Sequence, residues 1–359
     1  MSQIDSMPVV GDDPRHRFYE LTVFDVIRET ADANSFIFEI PNELEELFRY
    51  KAGQFFTFEI PWQDFHVRRC YSLSSSPAWG DRPKVTVKRV EDGRVSNWMC
   101  DNLRQGSRIQ AMPPGGHFIL HHAAERTNPI TLFGGGSGIT PVISILKQAL
   151  RETDRHVKLV YANRDRASVI FRAELEAIAG QFGDRFELIS HLDDERGVMT
   201  KADIAKHIEG RLDSDFYVCG PTPFMDAIEE VLPNRPLEDG EIYVERFVSA
   251  VDPDRRPAEE APADTSGAAA QVTIHLDGQT HQISCEAGEP ILKAAVRAGV
   301  DVPFSCQDGY CGCCMAKLRD GEVNMPKHEA LTRRELAGGW VLACQARPTT
   351  PSCTLEFED

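Results

Sequence analysis

Between Phe18 and about Leu120 the chain alternates apolar and polar positions in short runs separated by turn residues. Tyr19-Glu20-Leu21-Thr22-Val23, Phe36-Ile37-Phe38-Glu39-Ile40, Phe55-Phe56-Thr57-Phe58-Glu59-Ile60 and Lys84-Val85-Thr86-Val87-Lys88 are the clearest examples. Such runs predict strands with one buried face, and their spacing predicts an antiparallel sandwich or barrel. From Asn128 to Phe247 the texture changes. Continuous apolar strands such as Val157 to Tyr161 and Phe216 to Cys219 alternate with helical patterns such as Ile143 to Arg151 and Ala173 to Phe182. That alternation predicts an α/β unit with a parallel sheet.

Apolar periodicity stops between Ser249 and Ala270, where Pro253, Pro257 and Pro262 fall among Asp, Glu, Ala and Gly. This composition predicts a semi-extended linker. Gln271 to Gly278 and His281 to Ser284 then predict a hairpin turning at Asp277-Gly278. A helical pattern from Pro290 to Ala298 ends at Gly299, and a cluster of cysteines follows. The expected division is therefore a multidomain chain with a β-barrel unit at 1–126, an α/β unit at 127–248, a linker at 249–270 and a small α+β unit at 271–359.

With 359 residues and a formal charge of 39 − 56 = −17, the chain has room for two or three domains and lacks the basic runs that a phosphate backbone demands. Nucleic acid is thus not an expected partner. Met1 to Gly11 carries no apolar stretch of the export-signal kind, and Asn128 to Leu146, though uncharged until its end, is broken by four glycines and Pro141. No membrane insertion and a cytoplasmic location are expected. In that compartment ten cysteines point to metal rather than to disulfides.

Cys306, Cys311 and Cys314 stand as C-x4-C-x2-C, with Cys344 after a long gap. This is the plant-type ligand spacing of a 2Fe-2S cluster, and Gly309 and Gly312 permit the tight turns of its loop. A four-cysteine zinc site is the competing reading, although zinc usually takes two paired hairpins rather than three ligands crowded on one loop. Cys313 is surplus to the four. Cys70, Cys100, Cys219, Cys285 and Cys353 read as small buried hydrophobes.

Arg69-Cys70-Tyr71-Ser72 ends a predicted strand and offers a guanidinium for phosphate, an aromatic face for an isoalloxazine ring and a hydroxyl for flavin N5. Gly93-Arg94-Val95-Ser96 opens a helical stretch whose amides, with an N-cap hydroxyl, would make an anion site. Gly134-Gly135-Gly136-Ser137-Gly138-Ile139-Thr140-Pro141 lies between an apolar strand and a helix, where glycines let backbone approach a pyrophosphate. Cys219-Gly220-Pro221 repeats the device after a later strand, and two such turns predict a dinucleotide crevice. Past the strand ending at Tyr161, Asn163-Arg164-Asp165 places one cation and one anion where an adenosine ribose would lie. Asp165 would favour a free 2′-hydroxyl, and Arg164 a 2′-phosphate.

Over nearly its whole length the chain resembles ferredoxin-NADP reductase-like flavoproteins fused to a plant-type ferredoxin. Arg69 to Ser72 resembles that family's flavin motif, Gly93 to Ser96 its flavin-phosphate motif, and Gly134 to Pro141 with Cys219 to Pro221 its nicotinamide nucleotide motifs. Arg69 to Pro77, Tyr161 to Asp165 and Val341 to Pro348 resemble the reductase components of 3-ketosteroid 9α-hydroxylases, with those of phenylacetyl-CoA epoxidases close behind. The resemblance implies a β-grasp fold for the third unit, FAD rather than FMN, a 2Fe-2S cluster, and NADH in preference to NADPH. It also implies a terminal oxygenase as electron acceptor. Tyr71, Ser72 and Phe247 are the expected residues at the flavin ring. Two alternatives remain open: a flavin enzyme with a zinc-bound interaction module, and a carrier that relays electrons without using nucleotide.

Overall fold

A computed structural model of the chain describes residues 14–62, 65–121, 126–232, 240–247, 269–307, 309, 311–328 and 330–357. Met1 to Gly11 and positions 249–268 of the expected linker lie outside the described residues. Ala270, expected to close that linker, is instead the first residue of a strand paired with Cys285.

The first unit contains β1 (Tyr19–Arg28), β2 (Ala33–Glu39), β3 (Phe55–Trp62), β4 (Phe65–Ser72), β5 (Lys84–Lys88), α1 (Arg94–Asn102) and β6 (Arg108–Gly115). Its six strands run in the order β4-β3-β6-β1-β2-β5, each antiparallel to its neighbours. A bridge between Leu73 and Val85 ties the end of β4 to β5, so the sheet curls on itself as a barrel. Alternation fills it: Phe36 and Phe38 on β2 and Phe56 and Phe58 on β3 are wholly buried, the ring centroids of Phe38, Phe56 and Phe58 lying 5.4–6.2 Å apart. Each such ring contributes roughly 1.5–3 kcal/mol by leaving water.

The second unit contains β7 (Ile130–Gly135), α2 (Ile139–Glu152), β8 (Val157–Asn163), α3 (Arg172–Phe182), β9 (Phe186–Leu192), α4 (Asp193–Arg196), α5 (Lys201–Ile208), β10 (Asp215–Gly220), α6 (Thr222–Val231) and β11 (Ile242–Arg246). All its strand pairs are parallel, in the order β11-β10-β7-β8-β9. Chain direction reverses across the sheet between β7 and β10, the switch point where open α/β sheets bind ligands. Helix α2 starts at Ile139, four residues before the expected Ile143, because the glycine turn feeds straight into it and Pro141 falls in the first turn, where no amide hydrogen is needed. Among the described residues no helix is long and apolar enough to cross a membrane.

The first two units share a core. Ala33, Phe118 and Leu120 pack into the same apolar cluster as Ile145, Leu146 and Tyr217. Around it, Gly53 N–H donates to Ser144 Oγ at 3.2 Å and the Ser144 hydroxyl donates to the Ser75 carbonyl at 2.6 Å. Lys147, buried, pairs with Glu174 at 2.9 Å and with Asp81.

The third unit contains β12 (Ala270–Leu276), β13 (Gln279–Cys285), α7 (Ile291–Arg297), β14 (Met315–Asp320), β15 (Val323–Asn324), α8 (Arg333–Ala337), β16 (Trp340–Leu342), β17 (Arg347–Pro348) and β18 (Ser352–Glu356). Its main sheet is mixed, in the order β13-β12-β18-β14-β16, with β12 and β18 parallel. The hairpin turns at Asp277 and Gly278, whose φ values of 48° and 70° are those of a type I′ turn. Its apolar cluster draws on residues of this unit alone, from Val272 to Phe357.

Candidate active cleft

A cleft of about 1210 Å³ opens where the three units meet. That volume exceeds the ~300–1,000 Å³ of a drug-sized site and suits a dinucleotide with room for a second ligand. Tyr71 and Ser72 of β4, Glu245 of β11 and Phe247 just past it, and Cys311 and Gly312 of the third unit all line it.

Strand β4 delivers the tetrad as predicted. Arg69 and Tyr71 line the cleft, and the Tyr71 ring leans on Phe58 with centroids 6.2 Å apart. Ser72 is buried and donates its hydroxyl hydrogen to Glu245 Oε2 at 3.2 Å. At the other end of the cleft, helix α1 has Gly93 as its N-cap and no side-chain cap. Ser96, expected as the capping hydroxyl, sits inside the helix and accepts from Val90 N–H at 3.1 Å. The first amides of α1 are therefore not claimed by a side-chain cap, and with Gly93, Val95 and Ser96 lining the cleft they fit a phosphate.

The two glycine turns of the second unit pack on one another. A Cβ on Gly138 would lie 2.2 Å from the Cys219 carbonyl oxygen, and one on Gly135 would lie 2.8 Å from the Pro221 ring. Their glycines permit backbone-to-backbone contact between the ends of adjacent strands as well as approach by a ligand. Gly136 takes a φ of 52°, and Ser137 and Thr140 reach the cleft. Thr140 donates to the Ser137 carbonyl at 3.1 Å, and Pro141 follows it in the first turn of α2. At the end of β8 the Asn163 amide is buried beside the Tyr161 hydroxyl, which donates to the Gly136 carbonyl at 3.0 Å, and neither amide atom meets hydrogen-bond geometry with a partner among the described residues. A buried amide in that state fits a polar ligand. Arg164 is largely exposed and 3.5 Å from Asp32 of the barrel unit. Asp165 caps the turn that follows it, accepting from Ser168 N–H at 2.8 Å, so part of its carboxylate is engaged locally.

Glu245, which the sequence reading passed over, and Cys70, which it read as a small buried hydrophobe, both belong to the cleft. Glu245 sits midway between Tyr243 and Phe247, and the period of two along β11 puts all three on one face. That period was the available signal. Glu245 is half-buried on the cleft wall, and burial pushes its carboxyl up to about 8 against the opposing bond from Ser72. Behind it, burial first and Glu245 second hold the Cys219 thiol well above its ordinary pKa, hence neutral. Tyr243 is clamped between His121 and Tyr217, with centroids 4.5 and 4.6 Å away, which fixes β11 to the barrel unit. Cys70 is the second: half-buried on the cleft wall, its Sγ lies 3.3 Å from the Thr57 hydroxyl.

The cysteine loop turns at Gln307, Gly309 and Gly312, with φ of 62°, 82° and 70°. Cys306, Cys314 and Cys344 are buried and Cys311 faces the cleft. Cys344 N–H donates to Cys314 Sγ at 3.5 Å. The bond between these two side chains, then burial, then the nearby Cys311 and Cys306 push the Cys314 thiol well up. Crowding of that kind disfavours deprotonation until cationic iron is present. Among the described residues no three Cys, His, Asp or Glu side chains converge as ligands of a single ion would. A 2Fe-2S cluster instead needs two thiolates on each of two irons, and the Cys314–Cys344 pair fits one of them. Cys313 is buried against the barrel unit, where a Cβ on Gly115 would come 3.3 Å from its Sγ. The ten cysteines form no disulfide.

Three family models match in order along the chain: an oxidoreductase FAD-binding domain over residues 20–119, an oxidoreductase NAD-binding domain over 132–230, and a 2Fe-2S iron-sulfur cluster binding domain over 274–349. The third match decides against zinc, and the first two against a carrier that uses no nucleotide. The ferredoxin reductase component of 3-ketosteroid-9-alpha-monooxygenase from Rhodococcus rhodochrous is 41% identical over 94% of this chain and 96% of its own. One component of the 1,2-phenylacetyl-CoA epoxidase of Escherichia coli is 33% identical over 95% of this chain and 98% of its own. Among solved structures, phthalate dioxygenase reductase aligns with a TM-score of 0.60 at 25% identity, covering 95% of this chain and 98% of that one. Full-length CYP116B46 of Tepidiphilus thermophilus aligns at 0.73 and 25% identity over 95% of this chain and 42% of its own.

Proposed function

We propose, from the premise that the chain belongs to the family of oxygenase reductase components built of FAD-binding, NAD-binding and 2Fe-2S domains, that it passes electrons from NADH to a terminal oxygenase acting on a 3-ketosteroid at the 9α position. The observation that carries the electron-transfer reading is the shared cleft, lined at once by Tyr71 and Ser72, by Phe247, and by Cys311. The steroid rests on likeness: identity is 41% to the steroid monooxygenase component against 33% to the epoxidase component.

FAD held here would supply the exchange between the hydride of NADH and the single electrons that a 2Fe-2S cluster can take. This chain's residues bind and orient. Arg69 and the open amides after Gly93, with Val95 and Ser96, hold the flavin phosphates. Tyr71 lies against the ring, Phe247 covers the nicotinamide side, and the Ser72 hydroxyl holds the ring's reactive edge. Glu245, protonated below about 8, accepts the hydrogen bond of the Ser72 hydroxyl and so positions it at the cleft wall. Gly135, Gly136, Ser137, Gly138, Thr140 and Pro141 form one wall of the nucleotide crevice and Cys219, Gly220 and Pro221 the other. Asn163, Arg164 and Asp165 meet the adenosine ribose. Cys306, Cys311, Cys314 and Cys344 hold the cluster. The proposed divisions are 1–126, 127–248, a linker at 249–269 and a third unit from Ala270, which opens β12, to 359.

Reconstitution tests the reading. The purified reductase, NADH and either a Rieske-type steroid oxygenase or the phenylacetyl-CoA epoxidase are incubated side by side. Hydroxylated 3-ketosteroid is expected, with turnover falling as salt rises, because a chain of charge −17 would meet its acceptor by attraction screened over ~8–10 Å. Product from the epoxidase alone overturns the steroid assignment.

A further inference from the structure

Three contacts join described residues between Asp301 and Cys313 of the third unit to the barrel unit. His16 Nδ1 lies 2.7 Å from Asp301 Oδ1, and the His16 ring packs on Phe304 with centroids 4.7 Å apart. Thr57 Oγ1 hydrogen-bonds Ser305 Oγ, both side chains being buried. Cys313 Sγ rests over Gly115, which has no side chain to hold it off.

The middle contact sits between two motifs. Ser305 precedes Cys306, a proposed cluster ligand. Thr57 Oγ1 also lies 3.3 Å from Cys70 Sγ, and Cys70 precedes Tyr71 at the flavin ring. We propose that Cys70, Thr57 and Ser305 form a hydrogen-bonded bridge that sets the register in which the cluster loop docks on the flavin site, and so governs electron transfer from flavin to cluster. The proposal rests on the electron-transfer reading above.

Three properties support it. A hydroxyl offers one donor and two acceptor positions, so Thr57 can donate to one neighbour and accept from the other, and the relay is satisfied in either direction. Both hydroxyls are buried, and slipping by one residue would leave a hydroxyl without its partner inside protein. Burying apolar surface favours contact without fixing register, whereas a paired polar group inside an interface does fix it. The route Tyr71–Cys70···Thr57···Ser305–Cys306 also crosses between the units through one thiol and two hydroxyls, where a packing gap would attenuate electron coupling. In the step itself one electron leaves the reduced flavin and one arrives at the oxidised cluster. No bond to the bridge residues is made or broken, which makes them positioning residues.

The test uses the full holoprotein with Thr57→Val, which keeps the shape and removes the hydroxyl, and Thr57→Ser, which restores it. Stopped-flow absorbance after mixing with NADH separates flavin reduction from cluster reduction. Amide hydrogen exchange over residues 301–307 reports docking without reference to turnover. Thr57→Val is expected to reduce its flavin at the wild-type rate, to slow flavin-to-cluster transfer at least tenfold, and to raise exchange in that segment. Thr57→Ser should return both readouts to wild type. Gly115→Ala, which wedges a methyl beneath Cys313, should slow the same step by a separate contact. Wild-type transfer in Thr57→Val overturns the bridge, whether or not exchange rises. Absence of FAD or iron from the unaltered protein would overturn the electron-transfer reading instead, so the two failures are distinguishable.

Discussion

Ser72 and Glu245, 173 positions apart in sequence, share a hydrogen bond of 3.2 Å across the boundary between the barrel and the parallel sheet. Ser72 ends β4, and Glu245 is the penultimate residue of β11, which pairs with β10 at the edge of the parallel sheet.

The first prediction concerns the charge on Glu245. Burial raises its carboxyl from 4.5 to about 8, so between those values the folded protein binds a proton that the unfolded chain has released. The stability this proton linkage contributes is full below about pH 4.5 and is lost as pH rises through about 8. Thermal melts of wild type should therefore fall relative to Glu245→Gln over that window, with the gap closing towards acid. Parallel curves would mean that the carboxyl is not shifted. In single-turnover flavin reduction, Ser72→Ala should lose rate more than FAD affinity.

Cysteine replacement separates ligands from filler. Cys311→Ser and Cys344→Ser should lose iron and acid-labile sulfide, whereas Cys313→Ser should retain both, since its sulfur faces Gly115 of the barrel unit. A Cys313→Ser protein without iron would reassign the ligand set.

Gly138→Ala should damage the nucleotide half of the molecule. Its methyl would fall 2.2 Å from the Cys219 carbonyl oxygen, which is backbone and cannot swing aside. A loss on the order of 3 kcal/mol is expected, together with a raised KM for NADH and unchanged FAD content. Gly180→Ala, inside α3 with open space around it, is the control and should be neutral or slightly stabilising. Equal melting temperatures for the two variants would show that the turns can separate.

With an artificial acceptor, kcat/KM should favour NADH over NADPH. Arg164 stands 3.5 Å from Asp32, which competes with any 2′-phosphate for its guanidinium. Arg164→Ala should leave the NADH value within about twofold. A clear NADPH advantage in wild type would instead assign Arg164 to that phosphate.

Features carried by local spacing were legible in the chain. C-x4-C-x2-C needs only a loop, Asp277-Gly278 needs only a two-residue turn, and the alternating phenylalanines need only a pleated strand. What escaped depends on distant partners. Glu245 has no local mark beyond its place between Tyr243 and Phe247. Gly138 read as room for a ligand, yet the Cys219 carbonyl 81 positions later occupies part of that room. Ser96 read as an N-cap because serine favours that position, but its hydroxyl is drawn back to Val90 N–H, leaving Gly93 to start the helix. Cys70 read as filler since nothing nearby in sequence announces Thr57 or Ser305.

The apolar cluster that joins Phe118 and Leu120 to Ile145, and the separate one running from Val272 to Phe357, imply a hierarchy of unfolding. Calorimetry of the holoprotein should give one cooperative endotherm for the barrel and the parallel sheet together and a second for the iron-sulfur unit, because cooperativity follows shared burial and not the boundaries between folds. A cell that loses the iron-sulfur unit to oxidative damage would thus keep an intact NADH-oxidising flavoprotein, with dioxygen as the acceptor left within its reach.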